Sequence, residues 1–304
     1  MGVEAVETTR RSFVGMAGAA LLSRTPLHAQ SRPFLFGFSL YGMKSLPWRE
    51  GLAHVSRIGY KAVELSLRPG WNTEPKLLTK ADRAEIRKRI GDLGLVLPSV
   101  TENITLGRAG GSLQPNLDRL RAAAEICYEC SPGSPALIQG PVGGRPGDWD
   151  EMKSAMAAEL EAWARTAEEL KVTLALKAHS KQAMSHPEHA LWLIGQVKSP
   201  RVRLVYDYSH YSPFGLDMRK TMEQVVPHTV FVHIKDTIGM APDHHFVLPG
   251  DGPVDFKVYA KNLTEVGYRG PVVVEVSVDV QDRPGYDPVK AAEHVWEKVS
   301  AAFA

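Results

Sequence analysis

The chain has 304 residues, 44% apolar and 23% charged, and a formal net charge of +2. A length somewhat above the ~250 residues of one α/β barrel accommodates a single large domain. Near-neutral charge without a basic stripe argues against nucleic acid as a partner, and no apolar run approaches the ~18 residues that span a bilayer.

The first thirty residues stand apart from the rest. Thr9-Arg10-Arg11-Ser12-Phe13-Val14 leads into an apolar stretch ending Ala20-Leu21-Leu22, followed by Leu27-His28-Ala29. A charged start, a short apolar middle and a small-residue cleavage site make an export signal, and the paired arginines are of the twin-arginine kind. The competing reading is a disordered basic tail. On the export reading residues 1–29 are a signal peptide, and the mature domain, 30–304, works in a periplasm with no membrane attachment.

From residue 34 onward, short apolar runs alternate with helical patterns. FLFGFSL (34–40) precedes a helix near 47–58, and KAVELSL (61–67) precedes one near 79–92 that Thr79 opens. LVLPSV (95–100) precedes 115–130, and PALIQG (135–140) precedes 148–170, with Asp148 or Asp150 at its start. VTLALK (172–177) leads to 186–196 with Pro187 just inside, and VRLVYD (202–207) leads to 217–226. TVFVH (229–233) leads to 254–265, and PVVVEVS (271–277) leads to 287–302. Runs this rich in β-branched residues suit strands buried on both faces, and strict alternation with helices predicts a parallel sheet. The eightfold count predicts closure into a (β/α)8 TIM barrel, an α/β fold. An open doubly wound sheet usually carries G-x-G-x-x-G after its first strand, and FGFSLYGMKSL does not match. GRAGGS (107–112) and GPVGGRPGD (140–148) read as flexible loops on the active-site face. Cys127 and Cys130 lie in the helical stretch LDRLRAAAEICYEC without a second pair at zinc spacing, so they read as two buried helix cysteines.

Four polar residues close four successive apolar runs: Lys177, Asp207, His233 and Glu275. At strand ends they converge on one mouth of the barrel, where barrel enzymes work. Glu64, Glu102 and Gln139 come from earlier strands, and His179 and His210 follow closely after their own. Buried charges need a partner, an ion or a polar substrate. Asp207, His233 and Glu275 offer one nitrogen and two carboxylates, a donor set for Mn²⁺, Zn²⁺, Fe²⁺ or Co²⁺, with Mg²⁺ less suited. The alternative is a metal-free salt-bridge network in which Lys177 neutralises Asp207 and Glu275. His244 and His245 fall in a long loop, 237–250, that is either a lid or solvent-facing. Trp71, in the loop after the second strand, either stacks on a sugar or packs within the loop.

The sequence resembles the xylose isomerase-like TIM barrels, the sugar isomerase/epimerase superfamily. The resemblance rests on Gly59-Tyr60-Lys61-Ala62-Val63-Glu64, Asp207-x-x-His210, Val232-His233-Ile234-Lys235-Asp236, Leu248-Pro249-Gly250-Asp251-Gly252-x-x-Asp255 and Glu275. It implies one divalent metal, often Mn²⁺, held by Glu, Asp, His and Glu from strands 5 to 8, with the two glutamates exchanging protons with a sugar. Asp207, His233 and Glu275 match three of those positions, but the family's E-x-H on strand 5 reads Lys177-Ala178-His179 here. Lys177 is then a base with a depressed pKa, a charge that stabilises an enolate, or a replacement for the metal's charge. His210 matches a position that contacts substrate hydroxyls or bonds a carboxylate behind the site. His179 has the same two readings, and Asp236 is placed to orient His233.

The reading that joins these features is an exported sugar isomerase/epimerase-like enzyme. Glu275 and Lys177 are the catalytic residues, Asp207, His233 and Glu275 the metal ligands, and His179, His210, Glu64 and Trp71 the substrate contacts. Its partner is a small sugar or keto-sugar, and a homo-oligomer is left open. The alternatives are a keto-glycoside lyase or hydratase sharing the first proton abstraction, and a metal-free carbohydrate-binding barrel.

Overall fold

The computed structural model describes residues 34–106 and 113–304. The export-signal residues and the GRAGGS loop lie outside the described residues. Eight parallel strands close a barrel: β1 (Leu35–Ser39), β2 (Ala62–Ser66), β3 (Val96–Thr101), β4 (Leu137–Pro141), β5 (Leu174–Lys177), β6 (Val202–Tyr206), β7 (Thr229–Ile234) and, after a hairpin of β8 (Asp236–Ile238) and β9 (His245–Val247), β10 (Pro271–Val274). β1 pairs with β2 on one side and β10 on the other, which closes the ring. The helices are α1 (Trp48–Ile58), α2 (Lys80–Asp92), α3 (Leu113–Cys130), α4 (Trp149–Leu170), α5 (Pro187–Gly195), α6 (Met218–Val225), α7 (Phe256–Glu265), a short α8 (Val278–Gln281) and α9 (Pro288–Phe303). All eight expected strands and eight expected helices are present. No helix among the described residues is long and apolar enough to cross a membrane.

Helix starts follow the sequence signals. Thr79 and Asp82 form a reciprocal capping box on α2, and Pro187 opens α5. Asp148 precedes α4 but caps nothing with its side chain, because its carboxylate takes the Arg145 backbone N–H and guanidinium instead. The large apolar cluster fills the space between strands and helices.

Inside the barrel, Ala62, Ala175, Val205, Phe231 and Val273 form a separate apolar plug. Gly37 belongs to this wall: a Cβ there would come within 2.6 Å of both the Cβ and the carbonyl oxygen of Ala62. Strand side chains alternate with period two, so the residues two positions past the plug face the same interior. Those residues are Glu64, Lys177, Asp207, His233 and Glu275, all buried. The apolar plug therefore fixes the floor on which the polar site stands.

The segment expected as a bare loop, 237–250, contributes to a two-stranded antiparallel hairpin pairing Asp236 with Val247 and Ile238 with His245. Three-residue strands are too short to leave a period in the sequence.

Cys127 and Cys130 are both buried free thiols on α3. Burial pushes both thiols up, Cys130 to about 12. Neither should react with a thiol reagent at pH 8 in the native protein, and both should react in denaturant; rapid native labelling of either contradicts this packing.

Candidate active site

Two lysine ammoniums occupy the centre of the site. Lys177 Nζ donates to both oxygens of Glu275, at 2.7 and 2.8 Å, and lies 3.2 Å from His233 Nδ1. Lys235 Nζ lies 2.5 Å from Asp207 Oδ2 and also donates to Glu275 Oε2. Both lysines are buried, with only 3% and 4% of their surface exposed, so their charges persist only because carboxylates meet them.

The two cations differ in character. For Lys235, burial opposes the charge, but Asp207 and Glu275 outweigh it and raise the pKa. For Lys177, burial dominates and the neighbouring Lys235 adds to it, so the pKa is lowered although Glu275 and Asp207 pull the other way. On Glu275, burial is outweighed by Lys177, Lys235 and His233, which hold its carboxyl well below the usual range.

Beneath this layer Glu64 is fully enclosed. It accepts hydrogen bonds from Ser39 (2.6 Å), Ser99 (2.7 Å), Gln139 (2.9 Å) and His233 Nε2 (3.1 Å). Burial would raise its pKa, but His233 and the two hydroxyls outweigh it and lower it. His233 lies between the two, its Nδ1 beside the Lys177 ammonium and its Nε2 beside Glu64. A bonded chain thus runs from Lys177 through His233 to Glu64. Glu64 was expected to touch substrate; with its oxygens taken from four sides, it anchors His233 instead.

Above the lysines a cleft of about 180 Å³ opens, lined among others by Tyr41, Arg68, His179, Lys181, Phe246 and Glu275. His179 is on its wall. Its Nδ1 accepts the Lys181 backbone N–H at 3.1 Å, which leaves the ring proton on Nε2. Burial first, then Lys235 and Lys177, lower its pKa far enough to keep it neutral. His210 packs behind it with ring centroids 4.0 Å apart, and its Nε2 lies 3.5 Å from Asp207 Oδ2. That nitrogen is buried and makes no hydrogen bond among the described residues, so His210 does not bond the carboxylate.

Trp71 is not placed for sugar stacking. Its ring lies against Tyr41 (5.0 Å, 11°), and Lys44 sits over it at 4.4 Å. Asp236 does not orient His233 either: it accepts the backbone N–H groups of Thr237 and Gly252, because it lies an odd number of residues from His233 and faces away from the interior. His244 is buried and bonds the Ser180 hydroxyl at 2.7 Å, whereas His245 is exposed. Lys235 is the site residue that strand-end reasoning left out. It lies two positions past His233, and the same alternation that places His233 inside places Lys235 inside.

A cluster of metal-binding type exists: Asp207, His210 and Glu275 bring ligand atoms within 4.8 Å of one another. His233, expected as a ligand, has Nδ1 facing Lys177 and Nε2 facing Glu64. Both oxygens of Glu275 and Oδ2 of Asp207 already receive ammonium hydrogen bonds. Two unit charges 4 Å apart interact by about 4 kcal/mol at an effective dielectric of 20, and a dication doubles that against each lysine. The donor set, with both lysines seated on it, does not fit a divalent ion.

The family model for the xylose isomerase-like TIM barrel matches residues 52–298, and the chain belongs to that family. Among curated proteins it is similar to L-ribulose-5-phosphate 3-epimerase UlaE of Salmonella typhimurium, 24% identical over 273 residues covering 85% of this chain and 94% of that one. Among solved structures it resembles the apo form of 3-keto-D-glucoside 4-epimerase YcjR from E. coli, with TM-score 0.68, 17% identity and coverage of 88% and 99%. The probable 3-DHS dehydratase AsbF from Bacillus anthracis has the same fold at TM-score 0.69, with 12% identity and coverage of 86% and 98%.

The unequal roles of the two lysines are testable by urea unfolding. Lys235→Met leaves two buried carboxylates short of a cation and should cost about 3–5 kcal/mol. Lys177→Met should cost less, since burial already disfavours its charge. The contribution of Glu275 is complete above its unfolded pKa, near 4.3, and is lost as pH falls through its lower folded value. The gap between wild type and Lys235→Met should therefore close only in strong acid. A larger loss for Lys177→Met would overturn this ordering.

Proposed function

We propose that the protein is an isomerase- or epimerase-like enzyme that removes a proton α to the carbonyl of a sugar or keto-sugar. Glu275 is the base, and Lys177 and Lys235 stabilise the enediolate. The observation that carries this reading is one carboxylate shared by two buried ammoniums at the floor of a cleft.

Charge conservation explains how such a carboxylate works. At rest its two cations make Glu275 a weak base. A substrate carbonyl oxygen set beside Lys177 draws that ammonium away, and the basicity of Glu275 rises. As the α-proton moves to Glu275, its negative charge disappears and reappears on the substrate oxygen. The ammoniums exchange one anion for another with little reorganisation, which is where preorganised electrostatics contributes most. Neutral His179, with its Nε2 proton toward the cleft, donates a hydrogen bond to a second substrate oxygen.

Family membership supports this class of chemistry, as does similarity to proteins named L-ribulose-5-phosphate 3-epimerase and 3-keto-D-glucoside 4-epimerase. The Mn²⁺-type site implied by the resemblance requires both lysines to be displaced, and the scheme above proceeds without it. The export signal read in residues 1–29 supports a periplasmic enzyme that meets unphosphorylated sugars or keto-glycosides.

The test is NMR in D2O with free ketoses and 3-keto-glycosides. Wild type should exchange an α-proton of its substrate, and Glu275→Gln should slow that exchange by at least ~10²-fold with the fold intact by circular dichroism. Exchange that is unchanged in Glu275→Gln removes this residue from the role of base. Loss of a β-substituent in the same spectra would assign the reaction to elimination, which shares this first step.

A further inference from the structure

One cation lining the cleft has no carboxylate partner among the described residues. Lys177 is met by Glu275, Lys235 by Asp207 and Glu275, and Lys181 by Asp279 at 3.2 Å. Arg68 lines the same cleft and is half-buried, and among the described residues no carboxylate lies within ion-pair distance of it. Glu102, whose field reaches Arg68, is itself bonded by Arg119. Among the described residues, Arg68 is therefore the cleft-lining cation that no carboxylate meets.

Aromatic rings hold Arg68 in place. Its guanidinium carbon lies 5.0 Å from the Tyr41 ring centroid and 5.4 Å from that of Trp71, and those two rings are stacked. Trp71 Nε1 donates to the Tyr41 carbonyl at 3.0 Å, which locks the platform. A guanidinium laid on aromatic faces still has N–H donors to spare for a planar anion, even with the Tyr41 side chain beside it. Tyr41 and Arg68 line the same cleft as Lys177, Lys235 and Glu275.

We propose that Arg68 anchors a carboxylate of the substrate, making the ligand a carbonyl-bearing sugar acid. This deepens the reading of a carbonyl-sugar enzyme by assigning the substrate a charge. The planar guanidinium matches a planar carboxylate in a bidentate pair, which a tetrahedral phosphate does not reproduce. The platform also explains why Trp71 and Tyr41 pack on each other: they position the arginine, and neither ring face is left for a sugar.

The experiment is calorimetric titration of the full mature protein. The acids are 5-keto-D-gluconate, 2-keto-D-gluconate, D-glucuronate and D-galacturonate; the comparators are the neutral sugars D-fructose, D-glucose and D-galactose, together with D-fructose 6-phosphate. At least one acid should bind about tenfold or more tightly than its neutral counterpart. Arg68→Gln should erase that preference, and Arg68→Lys should retain part of it. A preference that persists in Arg68→Gln, no preference for any acid, or tighter binding of the phosphate overturns the proposal. Because binding is read here and not proton exchange, failure of the anion anchor is distinguishable from failure of Glu275 as base.

Discussion

The contact on which the site depends is the double hold of Lys177 and Lys235 on the carboxylate of Glu275, with Lys235 reaching on to Asp207. Carboxylates at the mouth of a barrel repel one another and lose their water, so they persist only with cations among them. A metal ion is one way to supply that charge. Here two side chains supply it, one from β5 and one from just past β7, and the arrangement of His233, Glu64 and His179 follows from it. His233 meets Lys177 on one nitrogen and Glu64 on the other, so the lysine–carboxylate contact is tied to the wall of the barrel.

Much of this was legible in the sequence because barrel interiors follow a period of two. Lys177, Asp207, His233 and Glu275 end apolar runs, and each stands two residues beyond a member of the apolar plug. That spacing places them together without knowledge of any distance. Lys235 obeys the same rule, one step further along β7, but lies past the end of the apolar run and so escaped a reading confined to strand ends. The short hairpin of β8 and β9 left no periodic trace.

The misplaced residues have a common cause. Glu64 and Trp71 were read as substrate contacts from residue type and neighbourhood, and both prove committed to protein partners. Which partner a buried polar or aromatic group takes depends on elements distant in sequence: Glu64 meets Ser99 on the adjoining strand and Gln139 on the one after, and Trp71 meets Tyr41. Asp236 differs from Lys235 by one position and faces the opposite way, which shows how sharply strand parity separates a site residue from a loop anchor. Arg68 has no strand-end signal and becomes visible only once the ion pairs of its neighbours are known.

Family membership fixes the fold, but the relatives do not fix how this chain handles charge. Metal content tests that most directly. Protein purified without chelators and measured by inductively coupled plasma mass spectrometry should carry well under one transition-metal ion per chain and gain no thermal stability from added Mn²⁺. The Lys177→Glu, Lys235→Met double variant, which supplies a carboxylate and removes both ammoniums, should then acquire stoichiometric metal and be stabilised by it. A wild-type protein that holds one tightly bound divalent ion per chain, lost on Asp207→Ala, would contradict the account.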